Sequence, residues 1–598
     1  MKANVYVATA ALLLCACAPS PPVATAPTPP PAPPLTPDQQ FEALAQRYLR
    51  EFPEQSPANA TGLGDHRFDN RLDDVSAAGW QNRAVFAETY LSALSPIDTA
   101  KLSRANQVDA RLLRNDLERD RWRLRTLEEW RWNPLTYTRI AGDALYNLLA
   151  RDFAPLPERL KNVQARLDEL PRFLAQAREV LDPARVPKVH AETAAKQNQG
   201  LLSILDEITK QATALPADEQ DKLKASAAKA RSAINQHQIW LEKKLAPDAK
   251  GDFRLGAERY DQKLAFALFS PLSRQEIRVQ AEAELANTHR AMYEIAKQVL
   301  KGKRAAPKLP DNPDPDTQRR AIRAALELAA AVHPKRDAVL DAARAALVKT
   351  TSFVREKNVV TVPDEPVEIV TMPEFQQGVA LAYCDSPGPL DKGQKTFFAV
   401  SPIPAGWTKA QADSYLREYN DRSIQNLTIH EAMPGHYLQL AHSNRYPSTL
   451  RAVLASGPFI EGWAVYTEKV MADLGYLDGD PLMKLVQLKW YVRSIANALL
   501  DQAVHVDGMS QKAAMKFLTE DAFQEEREAA GKWTRAQLTS AQLPVYFVGA
   551  REHMALRAEA EQRLGASFDM RKYHDQVLSY GSPPVRFVRE LMFDLPIE

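Results

Sequence analysis

The amino-acid sequence predicts a mainly α-helical protein with one small β-sheet. Three observations carry that reading. Glycine is scarce, with 22 residues in 598, which suits helices better than barrels or sandwiches. Apolar residues recur at i, i+3 and i+4 along much of the chain, the period of a helix with one buried face. Short β-type runs gather in one region, about residues 359–400.

The chain opens on an address. Residues 1–16 carry one positive charge, Lys2, and an apolar run from Val5 to Leu14. The run is too short to span a bilayer and reads as a signal peptide. Leu14-Cys15-Ala16-Cys17 resembles a bacterial lipobox, with cleavage before Cys17 and lipid on its sulfur. Residues 17–37 then form a lipidated cysteine and a Pro-rich tether, whose composition favours extended polyproline II and cannot bury a core. Residues 38–598 are read as one helical body. Lys and Arg number 76 against 75 Asp and Glu, so no basic excess points to nucleic acid. Once Cys15 leaves and Cys17 is lipidated, Cys384 alone remains, which excludes a disulfide framework.

The helices follow in order. Thr36-Pro37 offers an N-cap with proline at the first position, and Phe41, Leu44, Ala45, Tyr48, Leu49 and Phe52 form the first stripe. Leu160, Val163, Leu167 and Leu170 repeat it up to Pro171. Ser273 and Glu276 make a capping box, followed by Leu285, Met292, Ile295 and Val299 on one face. His289 shares that face and is read as a packing residue. The charged, Pro-rich stretch 301–316 reads as a loop. Four runs then look like strands: Val359–Val362, Val367–Val370, Val379–Tyr383 and Thr396–Val400. An edge strand here could pair with the main chain of an extended peptide.

A helix is expected over 415–440, and it carries His430-Glu431-Ala432-Met433-Pro434-Gly435-His436. Two imidazoles and a carboxylate supply nitrogen ligands for a catalytic zinc and a base beside its water. The His residues are six apart, about 120° around an ideal helix, so a regular helix would aim them in different directions. Pro434 removes a main-chain donor and Gly435 permits unusual dihedrals. A break there would swing His436 back toward His430. Glu461 follows 25 residues after His436, far enough for a second helix, running on to about Asp473, to offer it as a third ligand with a fourth position left open. Glu468, two turns on, is placed to hydrogen-bond a histidine ligand.

His430-Glu431-Ala432-Met433-Pro434-Gly435-His436-Tyr437-Leu438-Gln439, with Glu461-Gly462-Trp463-Ala464-Val465-Tyr466, resembles the bacterial domain-of-unknown-function 885 family. That family looks like a distant branch of the helical gluzincin metallopeptidases. The resemblance implies a large two-lobed helical body with a deep channel, and one zinc per chain on His430, His436 and Glu461. Gln502–Asp507 and Ala541–Gly549 resemble family segments expected near the site. The second begins Ser540-Ala541-Gln542 where the family usually has Pro-Gly-Gln. His505 and Tyr546 on these segments are donor types suited to an oxyanion, with Tyr383 and Tyr466 as alternates. Arg493 and Tyr383 are assigned to substrate contact.

The reading as a whole is a zinc peptidase, lipid-anchored in the bacterial envelope and facing the periplasm. It acts on short peptides, with Glu431 as the base. Two other readings keep the same residues: a zinc amidase or esterase on another envelope substrate, and a silent peptide-binding lipoprotein.

Overall fold

Helix formation begins where the Pro-rich segment stops. The computed structural model describes residues 35–373, 376 and 382–598; the signal peptide, the lipobox and nearly all of the tether lie outside them. The first helix, Pro37–Gln55, buries Phe41, Leu44, Ala45 and Tyr48. Ser273 and Glu276 close the expected capping box on Arg274–Leu300. His289 packs as expected, its Nε2 2.8 Å from the Asp521 carbonyl oxygen. The 301–314 segment is a loop, and Asp314 caps the next helix, Pro315–Ala330.

Two expectations are corrected. The Leu160 helix does not stop at Pro171 but runs over Leu156–Val180. A proline inside a helix costs about 3 kcal/mol. Beyond it Phe173, Leu174 and Ala177 are fully buried, and burying one Phe or Leu is worth about 1.5–3 kcal/mol, so packing outweighs the break. Residues 359–362 form no strand. Other partners occupy their main chain: the Val359 oxygen accepts from His574 Nδ1 at 2.8 Å, Asp575 accepts from the Thr361 N–H at 2.9 Å, and the Thr361 oxygen takes His442 Nε2 at 2.6 Å.

The other three runs form one sheet in the order β1-β3-β2. Strand β1 is Val367–Thr371, β2 is Ala382–Asp385 and β3 is Thr396–Val400. β1 runs parallel to β3, Val367 opposite Thr396, while β2 runs antiparallel, Ala382 opposite Val400. The 379–381 part of the predicted run lies outside the described residues.

The two largest apolar cores divide the body. One gathers side chains between Ala58 and Leu245, the other between Val339 and Val588. Both belong to one compact unit, Pro37–Glu598. A cavity of about 850 Å³ lies where they meet. The first core's side supplies Thr193 and Gln197 of helix Lys188–Gln211, and the second supplies β2 and the histidine motif. No helix among the described residues is long and apolar enough to cross a membrane.

Candidate metal centre

The histidine motif is split between two helices, as the Pro434-Gly435 break predicts. One helix, Asp421–Glu431, ends at Glu431; the next, His436–Ser443, starts at His436. Three helices therefore stand where one was expected over 415–440, because Asn420 also caps the start of Asp421–Glu431. At the break the chain folds onto the end it has just left. A Cβ added to Gly435 would sit 1.8 Å from the His430 carbonyl oxygen, so only glycine fits. Trp463 donates from Nε1 to the Pro434 oxygen at 2.9 Å, tying the turn to the helix Gly457–Asp473. That helix carries Glu461 and Glu468.

These contacts bring three potential ligands together. Glu461 Oε2 lies 3.4 Å from His436 Nε2 and 3.7 Å from His430 Nε2. Two ligand atoms about 2.0–2.1 Å from a tetrahedral zinc lie about 3.3–3.4 Å apart, so the spacing fits. Glu461 Oε2 is buried with no hydrogen bond among the described residues. A buried carboxylate oxygen beside two imidazole nitrogens is a donor set suited to a cation. Among the described residues these three form the cluster able to hold a metal.

Glu468 orients His430. Its Oε1 takes His430 Nδ1 at 2.7 Å, and its Oε2 takes Asn426 Nδ2 at 2.8 Å. The proton is thereby held on Nδ1, leaving Nε2 free to ligate. Burial pulls the His430 imidazolium down, but Glu461 and Glu468 outweigh it and raise its pKa to about 10, so a cation that ligates Nε2 would displace the proton there. The two histidines hold the Glu461 carboxyl well below the usual range despite its burial. His436 Nδ1 is buried without a hydrogen bond among the described residues.

Glu431 faces the same space. Burial raises its pKa, with His430 and His436 opposing. Beside it runs β2, the edge strand of the sheet, paired on one side with β3. Ala382, Tyr383 and Cys384 of this strand line the cavity together with Glu431.

The chain matches the family described as bacterial protein of unknown function (DUF885) over residues 57–592. It belongs to the DUF885 family. A solved structure described as a candidate lipoprotein of unknown function from Shewanella oneidensis is 34% identical, with a TM-score of 0.76 over 92% of this chain and 99% of that one. A second, described as a candidate lipoprotein from Colwellia psychrerythraea, is 18% identical with a TM-score of 0.76, over 94% of this chain and 99% of that one; at that identity it speaks for the fold alone. No curated protein matches the DUF885 chain.

The remaining expected site residues of this DUF885 protein divide. Tyr546 lines the cavity, its hydroxyl 3.0 Å from Arg535 Nη2, and the Glu461 charge reaches it. Tyr383 lines the cavity from β2 and hydrogen-bonds Gln376. Arg493 is on the wall, but Glu528 already pairs with it, so its charge is spent before any substrate arrives. His505 is corrected. It lies outside the cavity lining, its Nε2 held by the Ala536 and Thr539 carbonyls at 2.8 and 2.7 Å, between the Tyr260 and Phe253 rings. Tyr466 is also engaged elsewhere: His574 Nδ1 donates to a carbonyl, so its Nε2 accepts the Tyr466 hydroxyl at 2.6 Å. Sequence reasoning missed Lys532 and Arg535, which line the cavity from helix Glu526–Leu538.

Proposed function

We propose that this protein is a zinc-dependent peptidase acting on short peptides, related in chemistry to the helical gluzincins. The observation that carries it is the convergence of His430, His436 and Glu461 with Glu431 in one cavity, beside a free strand edge. Zinc held by the three ligands would supply Lewis-acid polarisation of a carbonyl and a water acidified toward neutrality. The chain's own residues do the rest. Ala382 and Cys384 offer main-chain groups along β2 to an extended peptide. Glu431, with its carboxyl pKa raised by burial, takes a proton from the attacking water and returns it to the leaving amine. Tyr546, steadied by Arg535, donates toward the oxyanion. Glu468 keeps His430 in its ligating tautomer. The lipobox-like segment and the description of similar proteins as lipoproteins support an envelope location; attachment through Cys17, facing the periplasm, belongs to the same proposal.

The test joins metal analysis to turnover. One zinc per chain is expected, and His430→Ala, His436→Ala and Glu461→Ala should each lower occupancy sharply. Glu431→Gln should retain zinc and fold but lose cleavage of a peptide library read by mass spectrometry. Full occupancy in the three ligand variants overturns the metal assignment, and normal turnover by Glu431→Gln removes its role as base.

A further inference from the structure

Helix Glu526–Leu538 turns Glu528, Lys532 and Arg535 toward the cavity, at i, i+4 and i+7. Its charges do not balance locally. Glu528 pairs with Arg493 and accepts the Tyr419 hydroxyl at 2.8 Å. The neighbouring Glu418 takes Lys489 Nζ at 2.8 Å and the Glu525 N–H at 2.9 Å. Both carboxylates of this wall are therefore engaged. Lys532 is 4% exposed yet has no hydrogen bond and no ion pair among the described residues. Arg535 spends Nη2 on the Gln542 side-chain oxygen and the Tyr546 hydroxyl and has no carboxylate at ion-pair distance among the described residues. Burial, with Arg493 and Arg535 nearby, pushes the Lys532 amine well below the usual lysine range despite Glu528 and Glu418. An unpaired buried cation is costly, and an anion from outside would relieve that cost.

We propose that Lys532 and Arg535 form a carboxylate subsite, taking the free C-terminal carboxylate of a short peptide, so that residues are released from the carboxyl end. This rests on the peptidase reading and narrows it. Arg535, with Lys532 taking up a proton as the anion enters, suits a planar, two-oxygen anion. Their position suits a chain end. Arg535 holds Tyr546, which lines the same cavity as the three candidate ligands, and Lys532 lies three residues back, about 4.5 Å along the helix axis. An extended peptide advances about 3.3–3.6 Å per residue. The offset between Arg535 and Lys532 is thus about one to two residues of extended chain, the scale of a chain end held in the same cavity as the three candidate ligands.

Binding without turnover tests this apart from catalysis. The zinc-loaded Glu431→Gln protein would be titrated calorimetrically with tetra-alanine, with its C-terminal amide, and with an amidated tetrapeptide bearing aspartate at the penultimate position. A charge-assisted contact is worth roughly ten- to hundred-fold in affinity, so the amide should bind weaker than the acid by that factor. Adding Lys532→Met should level acid and amide, and Lys532→Arg should restore the preference. Equal binding of acid and amide by the parent overturns the subsite, as does tight binding of the aspartyl amide, which would assign the cations to a side chain. Should Lys532→Met fail to fold, the parent ratio and Lys532→Arg still decide. A preference for the acid without cleavage of tetra-alanine by the unsubstituted protein sinks the peptidase reading and leaves the subsite standing.

Discussion

Tyr546 is the residue whose role a single atom can test. Its hydroxyl is the cavity-lining donor nearest in character to an oxyanion partner, and Arg535 keeps it in place. A donor used only in the transition state changes kcat far more than KM, by about 10²–10³-fold. Tyr546→Phe should therefore retain zinc and KM while kcat falls by about that factor; unchanged kcat would reduce Tyr546 to a packing residue. The cluster of His430, His436 and Glu461 was readable from residue type and spacing because imidazole and carboxylate donors have few other reasons to recur so closely. His505 was not, since its family-like segment says nothing of where the ring points, and two main-chain carbonyls hold it. Lys532 and Arg535 were missed because charges spaced three and four apart on a helix ordinarily face solvent; that this helix lines a cavity with residues distant in sequence is not revealed by local pattern.

The break between the two motif helices is what makes a six-residue histidine spacing usable. Gly435 is fixed by proximity: the His430 and Ile429 carbonyl oxygens lie 1.8 and 2.3 Å from where a Cβ would be. Gly435→Ala must push the second helix off the first, moving His436 away from His430 and Glu461. We expect a loss of about 1–3 kcal/mol in stability from overpacking together with reduced zinc occupancy, measured by thermal unfolding and elemental analysis. Occupancy equal to the parent would show that the turn relaxes without carrying His436. Pro434-Gly435 announced this break, and the 3.6-residue stripes announced the helices. The same local signals failed at 359–362, where β-branched residues fit a strand but His574, Asp575 and His442 claim their main chain. Pro171 failed in the other direction, because burial farther along the helix exceeds the cost of one proline.

Two predictions concern the whole molecule. Attachment should depend on Cys17, which the lipobox-like stretch singles out; Cys17→Ser should move the protein to a soluble or unprocessed fraction, and persistence of a processed form in the membrane would place the anchor elsewhere. The other concerns how distant parts of the body are held together. His66 bridges Asp69 at 2.9 Å and Asp391 at 3.1 Å, linking the start of the body to the loop ahead of β3. Its ring also stacks on Phe153, with centroids 3.7 Å apart. Burial pulls the imidazolium down, but Asp391 and Asp69 outweigh it and raise its pKa to about 9. An unfolded histidine titrates near about 6.5. The folded state thus binds the proton more tightly, so this stabilisation is fully present below about pH 6.5 and is lost as pH rises through about 9. Comparing the thermal midpoints of the parent and His66→Gln across this range cancels groups common to both. The gap between them should be widest near pH 6 and narrow steadily toward pH 9. A gap that stays constant would mean that the ring acts through its stacking on Phe153, and that the charge contributes nothing to joining these two parts of the fold.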